Sequence, residues 1–287
     1  MISAKIPTFY VFHDESLPNK SWLLIGLIFV NEQYLKDIND CLLTILNKEN
    51  YRGEIHFCGL PKSFDGPWGA KARVAKRWLN VFETNLCEYA NFSILAVNKG
   101  SPAFDKNKFK KDFHCYNRFT AMALKAGISW HISPYNYDEI KIIFISDKKD
   151  RCSRPNGEFI DNFEDYLPYR SQLDSFLGKS RSIKYPRIRE MKLILEDSAN
   201  CLLIQLCDVL LGSTQSALVC NTNRETKLEL GRIILSWYHD LNLLPWEQKL
   251  NLHRRVNFWL FPNEDGQPDR NIPFKLDVNP NQLKLFT

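Results

Sequence analysis

Four acids in this 287-residue chain stand where an acid is costly. The run Phe9-Tyr10-Val11-Phe12-His13 is aromatic and β-branched and ends in Asp14, Glu15 and Ser16. It reads as a buried strand that delivers two carboxylates where the backbone leaves a sheet. Two like charges there are expensive to desolvate unless something positive shares the space, and a divalent cation meets that need. Asp14 as a plain turn cap is the other reading. Lys141-Ile142-Ile143-Phe144-Ile145-Ser146-Asp147 repeats the arrangement, an apolar strand closed by an acid and a polar turn. Glu54 and His56, two apart in the short extended piece Gly53 to Phe57, share one side of it, as an edge feature or as a second pair of polar groups. Asp208 interrupts an otherwise apolar helix, and must either face solvent or meet a cation; the cation is preferred. Carboxylate oxygens suit Mg²⁺ or Mn²⁺. Two such ions about 3.5 to 4 Å apart can activate a water and stabilise the leaving oxygen of a phosphodiester.

The elements that must bring these acids together follow from periodicity and turn residues. Ser21 to Val30 is a second apolar strand, joined to the first as an antiparallel hairpin. A helix runs from Asn31 to about Asn47, and the Gly- and Pro-rich loop Gly59 to Gly69 precedes another from Ala70 to Cys87. Tyr89 to Asn98 is a strand. Phe113, Tyr116, Phe119, Met122 and Ala123 mark a helix that Gly127 ends. Phe159 to Leu177 is helical, and a basic segment runs into an apolar strand closing at Glu196-Asp197-Ser198. Ala199 to Leu218 is the apolar helix with Gln205 and Asp208, and Asn221 to Trp237 is a further helix. His114 and His131 have no partner motif and read as structural. The expected organisation is an α/β domain over residues 1–220, a helical extension over 221–261 packed on it, and a flexible tail over 262–287.

Composition narrows the class further. The apolar content is that of a globular protein with a sizeable core, and no apolar run is read as long enough to span a membrane. The first residues lack the apolar stretch of a signal peptide. Eight scattered cysteines without a C-x-x-C pair read as reduced core residues, so a cytoplasmic location is expected. A net charge of +5 permits a polyanionic partner without demanding one.

The order of hairpin, helices, strands and a late acidic helix, with acids at Asp14, Glu54, Asp147 and Asp208, resembles the ribonuclease H-like fold. More narrowly, Asp14-Glu15-Ser16, Glu54-Ile55-His56, Phe144-Ile145-Ser146-Asp147 and the Gln205-Leu206-Cys207-Asp208 helix resemble the domain-of-unknown-function 3800 family from about Phe9 to Leu218. The resemblance implies a mixed sheet with flanking helices and metal-dependent phosphodiester cleavage. It implies metal ligation by Asp14, Glu54, Asp147 and Asp208, with support from Glu15, His56, Asp197 and Gln205; beside such ions His56 moves a proton or orients Glu54, or is a hydrogen-bonded structural histidine. It also implies a setting of defence against mobile elements, alone or with a partner protein; a non-cleaving, nucleic-acid-binding or regulatory subunit is the alternative. Leu17-Pro18 stands where the family has Gly, and Cys207 where it has a small Ala.

Three basic groups are candidates for holding a nucleic-acid backbone around the sheet mouth. They are Lys106 to Lys111; Lys148, Lys149, Arg151 and Arg154; and Lys179, Arg181, Lys184, Arg187 and Arg189. For each, a solvated surface is the plain alternative. The final Gln282-Leu283-Lys284-Leu285-Phe286 is similar to the peptide by which bacterial proteins dock on the DNA sliding clamp, through Gln282, Leu283, Leu285 and Phe286; a tail that folds back and buries its apolar residues on its own domain is the alternative.

Overall fold

The aromatic run lies in strand β1 (Thr8–Asn19), which pairs antiparallel with β2 (Trp22–Asn31), the expected hairpin. The computed structural model describes residues 6–19, 21–109, 111–148, 161–178, 185–243 and 255–277. Within it β1 does not leave the sheet at Asp14, which corrects the strand-end reading. Asp14 pairs with Gly26, and the hairpin runs on through Leu17-Pro18 to Asn19, with a register shift after Ser16. The ladder that stops nearby is the one on the other edge of β1. Strand β4 (Glu139–Asp147) is parallel to β1 only as far as His13 opposite Ser146. The carboxylates therefore sit where the sheet narrows, and β1 continues past them as a hairpin arm.

Strand β3 (Ala90–Asn98) adds antiparallel to β2, β5 (Arg187–Glu196) adds parallel to β4, and β6 (Val256–Phe261) adds parallel to β3. The resulting order is β5-β4-β1-β2-β3-β6. The last strand corrects the expectation of a purely helical extension over 221–261. Its residues are covered on both faces, so the sequence shows no alternation to betray a strand. The described part of the proposed tail is also packed: Ile272 and Leu276 are buried, and the N–H groups of Lys275 and Leu276 donate to the Ala217 carbonyl.

Among the described residues six α-helices cover the sheet, and the alternation of β1 sorts them. Phe12 faces a core built with α1 (Leu35–Lys48), α2 (Ala70–Thr84), α5 (Leu202–Val219) and α6 (Glu225–Leu243). Phe9 and Val11 face a second core with α3 (Asp112–Gly127) and α4 (Phe163–Gly178). Gly127 ends α3 as expected, and the chain goes on through a π-turn, Ile128–Ile132; Gly127 also serves packing, since a Cβ there would lie 2.3 Å from the Phe29 ring.

Helix α5 is long and apolar enough to cross a membrane by length and composition, which amends the earlier reading that no segment is. Here 78% of that segment is buried inside the protein, so it acts as a core helix. Its closeness to the neighbouring layers depends on two glycines. A Cβ on Gly26 of β2 would meet Leu211 and Cys207 of α5 at 3.2 and 3.3 Å, and one on Gly212 would stand 2.2 Å from Phe57 Cγ. Cys207 is therefore a packing residue, its thiol against Gly26 and the Phe12 carbonyl. Gly212→Ala should destabilise the protein by about 1–3 kcal/mol, because the ring root cannot step aside cheaply. Urea unfolding would measure it.

Candidate active site

The β-strand period places Asp14 on the same face as Phe12, towards α5, while His13 and Glu15 turn to the α3–α4 side. Asp147 lies one step beyond the His13–Ser146 pair on the adjacent parallel strand, on the face of Ile145, which also packs against the α5 core. Neighbouring strands are about 4.8 Å apart, so Asp14 and Asp147 emerge side by side. Helix α5 crosses above and adds Asp208. The extended piece at Glu54 closes the ring.

All four acids, with Glu15 and His56, line one open cleft of about 180 Å³. Asp208 Oδ2 accepts the Phe57 N–H at 2.6 Å and pairs with His56 Nδ1 at 2.6 Å. It thus meets an imidazole and a backbone donor. Ser198 bridges two of the others: its Oγ donates to Glu54 Oε1 at 2.7 Å, and its N–H to Asp147 Oδ1 at 3.2 Å. Gln205 ties these segments to α5. Its Oε1 accepts the Ile55 N–H at 2.9 Å, and its Nε2 donates to the Ser198 carbonyl at 2.8 Å. Because Ile55 and Gln205 are both buried, Glu54 and His56 on either side of Ile55 are turned outward into the cleft.

The fold is α/β, a six-stranded mixed sheet flanked by helices. Its mixed sheet carries an antiparallel hairpin into parallel strands, with helices on both faces. No family model and no curated protein matches the chain. Among solved structures it is similar to the ribonuclease H2 from Pyrococcus horikoshii OT3, at 10% identity over 86% of this chain and 98% of that one, with a TM-score of 0.39.

The supporting residues divide. Glu15 reaches the cleft edge from the far face, where its Oε2 accepts the Tyr116 hydroxyl at 3.2 Å beside the fully buried His13. Asp197 caps the turn Ser198–Asn200 through the Ala199 N–H and does not line the cleft. Of the basic candidates, Lys148 is exposed directly after Asp147. Arg187 is placed elsewhere. It pairs with Glu139 where both parallel strands begin, at the opposite end of the sheet, and Arg189 does the same, which corrects the idea that these two arginines stand at the mouth. Lys149, Arg151, Arg154, Lys179, Arg181 and Lys184, like Gln282, Leu283, Leu285 and Phe286, lie outside the described residues.

Sequence reasoning missed Ser198 as a bridge, Tyr116 as the partner of Glu15, and two lysines near the acids. Lys71 feels Glu54 and Asp208, and Lys227 feels Asp208; burial lowers the pKa of each, and those carboxylates partly restore it. Nothing local marks either lysine, because what they approach is remote in sequence.

As a donor set the cleft fits a hard divalent cation, being carboxylate oxygen from four segments. Among the described residues, however, no three such side chains stand close enough together to cage an ion. Their oxygens are held by Ser198, His56 and backbone donors instead.

Gln205→Leu should lose about 2 kcal/mol or more, since it strands the Ile55 N–H and the Ser198 carbonyl in a buried setting. Denaturant unfolding would show it. His56 keeps its proton to higher pH than usual, first because of its hydrogen bond to Asp208, against the opposing effect of burial, and then through the charges of Asp208, Glu54 and Asp14. A raised folded pKa stabilises fully below the unfolded value and is lost as pH climbs through the folded one. In chelator, the wild-type melting temperature should fall relative to that of His56→Asn as pH rises above about 6.5.

Proposed function

We propose that the protein is a divalent-metal-dependent nuclease that hydrolyses phosphodiester bonds of DNA or RNA. The observation that carries this reading is the convergence of Asp14, Glu54, Asp147 and Asp208 on one cleft. A scaffold gains nothing from clustered repulsion, whereas bound Mg²⁺ or Mn²⁺ makes it favourable. Asp14, Asp147 and Asp208 would hold the ions, with Glu54 as a fourth ligand or as the group that orients water. Bound metal supplies polarisation of the phosphate and a nucleophile from water at neutral pH. The chain's own residues do the rest. Ser198 and Gln205 hold the Glu54 and Asp147 segments in register, and His56, fixed through Nδ1, can pass a proton through its other ring nitrogen.

The shared motifs support membership of the domain-of-unknown-function 3800 family and a role in defence against mobile elements, and the scattered cysteines support a cytoplasmic location. The alternative is a non-cleaving nucleic-acid-binding or regulatory subunit. It draws support from the protein donors that already occupy each acid.

Asp14→Asn and Asp208→Asn should each lower Mn²⁺-dependent cleavage of a labelled oligonucleotide by about 100-fold or more while the circular dichroism spectrum is kept. Folded variants with full metal-dependent cleavage would end this reading. The C-terminal peptide supports docking on the sliding clamp, and a pull-down with clamp protein should lose the chain when residues 282–287 are removed.

A further inference from the structure

A phosphodiester entering this cleft meets a field of carboxylates, so some cation of the chain has to hold it there. Among the sequence's basic groups, Lys148 is exposed directly after Asp147, while Arg187 and Arg189 pair with Glu139 at the far end of the sheet. Two lysines outside those groups also stand near the acids. Lys71 stands in the first turn of α2, and its ammonium lies against Gly59, 3.0 Å from where a Cβ would be. Lys227 stands in the first turn of α6, with its ammonium 4.9 Å over the Phe57 ring and donating to the Cys58 carbonyl at 3.3 Å. Both therefore rest on the turn Phe57–Gly59, whose first N–H holds Asp208 and whose Cys58 lines the cleft. Among the described residues neither ammonium has a carboxylate within salt-bridge distance, which leaves both charges for an incoming anion.

One helical turn before Lys71, Trp68 is 89% exposed. Its turn, Pro67–Gly69, is braced: Arg73 Nη1 donates to the Phe64 and Gly66 carbonyls at 2.6 and 2.8 Å, and Arg73 Nε to Glu49 at 2.7 Å. Gly69 passes so near the Phe64 carbonyl that a Cβ would stand 2.1 Å from its oxygen. A large flat ring is thus presented to solvent on a rigid support, three residues before Lys71. We infer that Lys71, Lys227 and Trp68 form the substrate-binding wall of this cleft, the lysines on backbone phosphates and Trp68 stacked on an unpaired base. The substrate class is accordingly a nucleic acid that is single-stranded next to the cleaved bond, since a paired base has no free face to give the ring. This inference rests on the nuclease reading.

The test is fluorescence anisotropy of full-length protein in Ca²⁺ with labelled strands of about ten nucleotides, as DNA, as RNA and as a blunt DNA duplex. Trp68→Ala should weaken single-strand binding about tenfold and leave the duplex unchanged, with Trp68→Phe restoring most of the loss. Lys71→Gln and Lys227→Gln should weaken binding to every strand and each reduce the salt slope by about one. Melting curves identify any variant that fails to fold. Lys71→Arg and Lys227→Arg, which keep the charge, should then bind as wild type does. Unchanged single-strand affinity in Trp68→Ala, an equal loss on duplex, or unchanged salt slopes in both lysine variants would overturn the wall while a cleaving wild type kept the nuclease reading. A wild type that neither binds nor cleaves any strand would remove both.

Discussion

Helix α5 must lie almost on the backbone of the sheet, and the site follows from that contact. Gly26 lets Cys207 and Leu211 come down onto β2, and Gly212 lets the Phe57 ring slide in against the same helix. With those two approaches made, Asp208 and Gln205 are carried to the point where β4 stops and β1 continues. The helix is buried over most of its length and has little freedom to shift. Its two polar side chains are thus aimed by packing.

Those two side chains then organise segments that have no regular structure of their own. The piece around Glu54 belongs to no strand, yet its backbone is pinned at Ile55 by Gln205 and at Phe57 by Asp208. The turn after β5 is held by the same glutamine. A buried amide that satisfies two remote backbone groups is a stiff joint, because each group left alone would be costly. The acids inherit that stiffness. They stand around a common space without collapsing onto a single point, with serine, imidazole and backbone donors offsetting their repulsion.

The opposite face of the sheet shows how much more the strands do than present Asp14. His13, with no exposure at all, shares a hydrogen bond with Ser146 at 2.9 Å and packs edge to face with Tyr116. That contact couples β1 to β4 directly beneath the two aspartates and links them to the tyrosine that holds Glu15. Alternation along one strand thereby sends consecutive residues, His13, Asp14 and Glu15, into complementary tasks on its two faces.

The hairpin, the parallel strand ending in Asp147 and the apolar helix interrupted by Asp208 were all legible in the chain, because apolar periodicity and an acid in the wrong surroundings are local signals. The same local reasoning placed the end of β1 too early and missed β6. In both cases a partner from far along the chain decided: β2 for the hairpin arm and β3 for the last strand. Which residues would be acidic and apolar was written in the sequence. Which end of the sheet Arg187 occupies, which donor meets Asp208, and which lysines stand beside the acids were settled only by the tertiary structure, since charge acts through space and not along the chain.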